Sequence, residues 1–360
     1  MRRLFLGTIV ALGLAAAVPS GQGIIFTPNG VIPVLDAYLE ALRAQAAIPG
    51  MSAAIVKDGV ILWDKGYGFQ NVTARIRATA DTPYMAGDLS ATLAAVMLLQ
   101  CVEGRHLELD RPIGSYGVAV ADPGATLRQV LSHTSPDPAA EPFFYSPDRF
   151  RQLTGLVERC VPQPYRKTIA HRVLNHLAMR DSVPGTDLRD EAVALSLGEG
   201  LFDPADIDRY RAVLDRIAIP YRVDGKGKAD AIPVPIESIN ASSGLVSTVR
   251  DLARLESALD DRLLLLDSTL AQAWNPATTG RGTPAPFGLG WFVQSYRGQR
   301  VVWHFGQVTN AYSSLIVKLP DHKLTFILLA NSDRLNSPFG LQSGDISKSL
   351  FATLFLKLVT

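Results

Sequence analysis

The sequence is short of cysteine, of clustered charge and of metal-binding motifs. Its 360 residues include two cysteines and six histidines, and the histidines are scattered with no HExxH-like spacing, so neither a metal nor a cofactor is expected. Lysine and arginine number 35 against 34 aspartates and glutamates, for a net charge of +1. Because no long run of one sign occurs, nucleic acid is not indicated as a partner.

The two cysteines, Cys101 and Cys160, permit a disulfide without requiring one. Both lie in apolar, helical patterns, where cysteine is often a buried thiol. A chain that is 47% hydrophobic can build a core without a cross-link. Two buried free thiols are the favoured prediction, and a bridge is the alternative that an oxidising compartment would allow.

The first residues have the pattern of a secretory leader. Arg2 and Arg3 precede an apolar stretch at residues 4–18, and small residues at 15–17 suit cleavage. The stretch is shorter than the roughly 18 to 20 residues of a membrane span, and an uncleaved N-terminal anchor is the alternative. We predict a signal peptide over residues 1–22 and an exported mature chain, periplasmic or extracellular, with no membrane span.

Hydrophobic periodicity orders the rest of the chain. Asp58-Gly59 is a strong hairpin signal between two strands, and residues 88–230 are mostly helical. The remaining helices are predicted at 31–46 and 340–358, and residues 242–259 are predicted to form a turn followed by an amphipathic helix. The later strands are predicted at 287–296, 299–306, 311–320 and 323–332. This order predicts an α/β (α+β) protein in which both ends of the chain complete one antiparallel sheet.

Several segments resemble, in order, the serine β-lactamase and penicillin-binding-protein superfamily, especially its class C and esterase-like branch. They include DTPYMAGDLSATLAA (81–95), TLRQVLSHTS (126–135), SSGLVSTVRDLARL (242–255), FGLGW (287–291) and WHFG (303–306). Each is weak alone, but together they are collinear over most of the chain. The resemblance implies a β-lactamase/transpeptidase-like fold, an antiparallel sheet flanked by helices plus a mostly helical subdomain. It implies one domain over residues 23–360, with an α/β part at 31–85 and 236–360 and a helical part at 86–235.

Members of that superfamily act by covalent acyl transfer. A serine at a helix N-terminus attacks a carbonyl, and a lysine one turn later in SxxK helps to deprotonate the serine. A tyrosine in a YxN motif shares the proton transfer. A KTG or HxG strand lines the opposite wall, and two backbone N–H groups form the oxyanion hole.

Under this resemblance the nucleophile and base positions carry unreactive residues. The motif serine falls on Asp88 and the motif lysine on Ala91, and no SxxK occurs anywhere in the chain. Ser90 is the only nearby hydroxyl, but the residue three positions later is Leu93. We predict that Asp88 is the N-cap of the helix, with a pKa lowered by the helix dipole, and that Ala91 is an ordinary helix former.

The other motif positions are partly retained. The motif tyrosine is Tyr145, while the motif asparagine falls on Pro147, which is predicted to start a capped helix. The HxG motif is kept as His304-Phe305-Gly306 and is followed by Gln307. Tyr145 is either a pocket residue or an ordinary aromatic, and His304 is either a structural or a pocket-lining histidine. His133, in the SHTS segment, is predicted to form a hydrogen bond within a turn.

These replacements favour a catalytically inactive relative whose cleft binds a peptide, a cell-wall fragment or an envelope protein. The alternative is a working hydrolase of the esterase, peptidase or β-lactamase type with a non-standard nucleophile. A structural envelope protein with a filled cleft is the third hypothesis. Fold alone does not choose among them, because function depends on the site.

Overall fold

The computed structural model describes residues 28–134, 141–198, 202–337 and 339–360; the predicted signal peptide lies outside them. None of the helices in these ranges is long and apolar enough to span a membrane. The helices are α1 Pro28–Gln45, α2 Ser90–Glu103, α3 Leu127–Leu131, α4 Pro147–Arg151, α5 Thr154–Cys160, α6 Tyr165–Ile169, α7 Glu191–Gly198, α8 Pro204–Leu214, α9 Val249–Asp260, α10 Asp267–Ala273 and α11 Leu350–Val359. The strands are β1 Gly50–Lys57, β2 Val60–Asn71, β3 Ile76–Arg77, β4 Tyr84–Met85, β5 Val183–Pro184, β6 Tyr221–Val223, β7 Ala229–Ala231, β8 Leu245–Ser247, β9 Phe292–Tyr296, β10 Gln299–Val308, β11 Tyr312–Leu319 and β12 Leu324–Ala330.

A seven-stranded antiparallel sheet forms the centre of the fold. Its strand order is β3-β2-β1-β12-β11-β10-β9. Strand β1 pairs with β12, with Met51 opposite Ala330 and Lys57 opposite Leu324. The two ends of the chain therefore complete one sheet, which confirms the topology predicted from the order of the elements.

Helices cover both faces of this sheet. Along β11, Leu315 and Val317 pack into a core shared with α1 and α11, while Ile316 packs into the core that contains α2 and α9. Successive side chains of a strand point to opposite faces, so one strand serves both cores. This packing holds α2 against the sheet, together with the turn before α2 that contains Asp88.

The predicted hairpin forms, but the last helix begins later than expected. Asp58 and Gly59 have φ of +52° and +79°, as a two-residue turn with right-handed strand twist requires. The chain at Gly340 and Gly344 is left-handed, so a helix cannot run through it. Helix α11 starts at Leu350, where the Ser349 Oγ accepts the N–H of Ala352 at 3.2 Å.

Cys101 and Cys160 form a disulfide, so the prediction of two free thiols is wrong. Cys101 lies in α2 and Cys160 ends α5, and their Cα atoms are 6.2 Å apart, within the usual range for a bridge. The packing of α5 on α2 brings them together. Each local pattern was consistent with a buried thiol, and neither contained information on the other helix.

Loss of the disulfide is expected to destabilise the protein. The bridge closes a loop of 59 residues, and the double variant Cys101→Ala/Cys160→Ala should lose about 2 to 4 kcal/mol of unfolding free energy, because its unfolded chain is less restricted. Denaturant unfolding of both proteins measures this difference. A reductant should lower the unfolding midpoint of the wild type and leave that of the double variant unchanged. If the two proteins have the same midpoint with and without reductant, the bridge does not stabilise the fold.

Candidate functional site

The candidate site lies where the turn before α2 meets strand β10. The segment Gly87–Leu89 is a single 3₁₀ turn between β4 and α2. A Cβ on Gly306 would lie 2.0 Å from the Ala86 carbonyl oxygen, and a Cβ on Gly87, which has φ of +56°, would lie 2.6 Å from the backbone nitrogen of Gln307. Glycine at both positions permits this close approach of turn and strand.

The Asp88 carboxylate forms a hydrogen bond across this contact. Its Oδ2 accepts the backbone N–H of Gln307 at 3.2 Å, and the backbone N–H of Asp88 itself also lowers the pKa of the carboxylate. In the described part of the chain, no side chain caps the turn at Ala86 or α2 at Leu89. The prediction that Asp88 is a helix cap is therefore wrong, because a distant strand supplies the donor expected from the first turn of α2.

The pKa of Asp88 also differs from the prediction. Burial raises the pKa of Asp88 to about 7, although the Gln307 N–H opposes the rise. The charge of Glu237 raises the pKa further, while the charge of Arg151 lowers it. A lowered pKa was expected from the helix dipole, but loss of hydration outweighs that effect here. Asp88 therefore changes charge near neutral pH.

The two nearest candidate positions on α2 are structural. Ala91 is buried in the core, as expected of a helix former. Ser90 is buried as well; its Oγ donates to the carbonyl of Gly87 at 2.9 Å and accepts the N–H of Leu245 at 3.1 Å. These bonds hold the turn to β8, so the Ser90 hydroxyl is already engaged.

Tyr145 lies beside Asp88 in a cluster of aromatic rings. Burial, followed by the charge of Asp88, raises its pKa well above the usual range. Its ring centroid lies 4.8 Å from that of His133, 5.2 Å from that of Phe292 and 5.4 Å from that of Phe305. A phenol with a raised pKa stays protonated, so Tyr145 is a hydrogen-bond donor and not a base at neutral pH.

His133 has a structural role that links two segments. Its side chain is buried, and its Nδ1 accepts the N–H of Ser146 at 3.2 Å. The ring does form a hydrogen bond, but not within a turn as predicted: the bond joins the segment after α3 to the start of α4. Burial lowers the pKa of His133 well below its usual range, so the ring remains a neutral acceptor.

Pro147 begins α4, as predicted, and Ser146 occupies the N-cap position. Within the described residues the Ser146 side chain makes no capping hydrogen bond, so the predicted serine cap is wrong. The backbone N–H of Ser146 donates to His133 instead, which fixes the start of the helix. Proline has no side-chain amide, and the position therefore offers no hydrogen bond to a ligand or to Tyr145.

His304 is buried on strand β10. Its Nδ1 lies 2.7 Å from the carbonyl oxygen of Phe305, and its Nε2 has no partner in the described part of the chain. Burial lowers the pKa of His304 to about 4, so the ring is neutral and Nδ1 donates. It lines a cavity of about 10 Å³ with Thr92, Trp274 and Lys318, about the space of one water molecule.

The structure adds Glu237, a residue that no sequence motif singled out. Its charge acts on Asp88, and its Oε1 accepts the Ser243 hydroxyl at 2.6 Å. The backbone N–H of Glu237 donates to the Thr186 Oγ1 at 2.8 Å, and its carbonyl accepts the N–H of Thr186 at 2.9 Å. The carboxylate bonds to nearby Ser243, whereas the Glu237 backbone is placed by Thr186, 51 residues away. The surrounding sequence contains no motif for this position.

The arrangement provides two backbone N–H donors, an ionisable carboxyl group and a protonated phenol. Among the described residues no group of three or more His, Cys, Asp or Glu side chains could hold a metal ion. Of the retained motif residues, Tyr145, Gly306 and Gln307 are brought to Asp88, and His304 lies beneath them. This set can bind a ligand and exchange a proton through Asp88.

The antiparallel sheet flanked by helices, with this turn against β10, defines a serine β-lactamase and penicillin-binding-protein-like fold. A solved octameric penicillin-binding protein homologue from Pyrococcus abyssi superposes with a TM-score of 0.69 at 22% identity, over 91% of this chain and 77% of that one. The family model for Beta-lactamase matches residues 35–347. The chain belongs to the Beta-lactamase family.

Its curated relatives include D-aminopeptidases. The protein of that name from Brucella ovis is 22% identical over 304 residues, which cover 78% of this chain and 56% of the relative. The one from Gluconobacter oxydans is 23% identical over 316 residues, covering 82% of this chain and 58% of the relative. The chain thus spans little more than half the length of these relatives.

The raised pKa of Asp88 predicts a specific dependence of stability on pH. The folded state holds this proton more tightly than the unfolded state, so the unfolding free energy falls as pH rises from about 4 to about 7. Asp88→Asn removes the cost of burying an ionised carboxylate and retains an oxygen that accepts the Gln307 N–H. At pH 8 we expect the variant to be more stable than the wild type by about 1 to 4 kcal/mol.

Denaturant unfolding at pH 4, 6 and 8 tests this expectation. The advantage of Asp88→Asn should shrink toward pH 4, where the folded wild type is protonated. A variant that is less stable than the wild type at pH 8 would show that the carboxylate stabilises the fold after all, as a helix cap would.

Proposed function

We propose that this protein is an exported, non-catalytic member of its family that binds a ligand in the cleft beside Asp88. The observation that carries the proposal is the Asp88 carboxylate, hydrogen-bonded to Gln307 where the family resemblance expects a nucleophilic serine. Ala91 stands at the expected lysine position. Acyl transfer needs an activated nucleophile, and neither residue provides one.

The geometry beside Asp88 also opposes acyl transfer. A carboxylate at the two N–H donors would repel the oxyanion of a tetrahedral intermediate. Two like charges about 4 Å apart repel by several kcal/mol at an effective dielectric near 20, which is comparable to the contribution of an oxyanion hole. The retained cleft is therefore better suited to binding a peptide, a cell-wall fragment or an envelope protein than to covalent chemistry.

Export is supported by the leader pattern at residues 1–22 and by the disulfide. Disulfides form and persist mainly in oxidising compartments, such as the bacterial periplasm and the cell exterior, and Cys101 is bonded to Cys160. We place the mature protein in the periplasm or outside the cell, where a ligand from the cell envelope would be accessible.

A second candidate is a hydrolase that uses Asp88 in place of serine. Two observations favour it: the relatives named D-aminopeptidase, and the pKa of Asp88 near 7, which suits a general base. This candidate requires the carboxylate to leave its two N–H donors, so that they can bind the oxyanion.

Covalent labelling tests the main proposal. The purified mature protein should gain no mass after incubation with a fluorescent penicillin or a fluorophosphonate, and it should hydrolyse neither a chromogenic cephalosporin nor p-nitrophenyl or D-amino acid amide substrates above a boiled control. A stoichiometric adduct would overturn the proposal. Turnover that is lost in Asp88→Asn would establish the second candidate.

The variant Asp88→Ser tests whether another base already serves the site. It restores the hydroxyl but leaves Ala91 in place, so we expect no adduct by intact mass, because the hydroxyl is not activated. A known active family member, labelled in parallel, is the positive control. Acylation of the single variant would identify a base other than the missing lysine.

A further inference from the structure

We propose that Asp88 determines ligand specificity: its carboxylate occupies the anion-accepting position of the cleft, so that the cleft rejects carboxylate- and phosphonate-bearing ligands and takes neutral or positively charged ones. This inference rests on the binding cleft of the proposed function. It adds the class of ligand, and it assigns to the Asp88 side chain the position that a ligand anion would otherwise take.

The Asp88 side chain already occupies a donor of the site. The Gln307 N–H donates to Asp88 Oδ2 at 3.2 Å, and the N–H of Asp88 also favours the charged form of this carboxylate. Two convergent backbone N–H groups are a typical anion site. A ligand anion would have to displace the Asp88 carboxylate. Because this carboxylate is part of the chain, it is present at the site at a high effective concentration.

The surrounding backbone holds the donors and the carboxylate together. The Ser314 Oγ donates to the Ala86 carbonyl at 2.7 Å, just before the turn that carries Asp88. On the other side, the Asn336 Nδ2 donates to the carbonyls of Gly306 at 2.9 Å and Ser314 at 3.0 Å. Ser314 and Asn336 are buried, so turn and strand are tied to common anchors and the gap between them has little freedom to widen.

The charges around the site also disfavour an incoming anion. The negative charge of Glu237, on a segment fixed by Thr186 and Ser243, raises the pKa of Asp88. His304 beneath the site is neutral, and Ala91 supplies no charge. Arg151 is the cation that acts on Asp88, but its Nε also lies 3.7 Å from an oxygen of Asp148.

The experiment compares the wild type with Asp88→Ala, Asp88→Ser and Asp88→Asn at pH 7.5. Phenylphosphonate is titrated into the ¹⁵N-labelled full mature chain, and the shift of the Gln307 amide resonance is followed. Benzamide is the matched neutral probe. Asp88→Ala and Asp88→Ser remove the carboxylate. The amide oxygen of Asp88→Asn can still accept the Gln307 N–H, so this variant is the control in which the position stays occupied.

We expect phenylphosphonate to move the Gln307 resonance in Asp88→Ala with at least tenfold higher affinity than in the wild type or in Asp88→Asn. Asp88→Ser should behave like Asp88→Ala, and it decides the outcome should the alanine variant fail to fold. Benzamide carries no negative charge, so it should bind the wild type and the two carboxylate-free variants with similar affinity.

Three results would overturn the proposal. The wild type could bind phenylphosphonate as tightly as Asp88→Ala does, the folded alanine and serine variants could fail to bind it, or Asp88→Asn could bind it as tightly as Asp88→Ala. These results need no turnover or covalent adduct. Failure of this inference is therefore distinguishable from failure of the proposed function, which covalent labelling tests.

Discussion

The close approach of the Gly87–Leu89 turn to strand β10 is the constraint on which the candidate site depends. A side chain on Gly87 or Gly306 would collide with backbone atoms of the facing element, so any larger residue would push the two apart. The approach brings the Gln307 N–H within 3.2 Å of the Asp88 carboxylate. The rest of the sheet holds β10 in register for this contact, since β10 pairs with β11 through Gly306 and Ser314.

This constraint explains why Asp88 is not an ordinary helix cap. A cap accepts an N–H from the first turn of its own helix and gains from the helix dipole. Asp88 points away from that turn, becomes partly buried, and has a pKa raised to about 7. Its ionised form therefore weakens the fold, and a residue that costs stability without a capping role is typical of a functional site.

Buried polar groups hold together the scaffold around the candidate site. Ser90 bonds to β8, and Lys318 lies between Glu256 and Asp260 at 3.0 and 2.8 Å, behind the cavity next to His304. Each group is satisfied within the scaffold, so the sheet and α2 keep their places whichever residue stands at position 88. Membership of the family therefore settles the architecture, and the site must be argued from its own residues.

The sequence by itself determined the order of the elements, the hairpin at Asp58-Gly59, the four late strands and the antiparallel sheet, because these depend on local periodicity and turn residues. It also located the turn of Asp88 and the strand of Gly306 and Gln307. Only the tertiary structure decided what Asp88 binds, that the charge of Glu237 acts on it, and that Cys101 reaches Cys160. The physical reason is that a carboxylate or a thiol can be satisfied by many partners. Which partner it meets depends on the packing of segments far apart in the chain, about which local pattern contains no information.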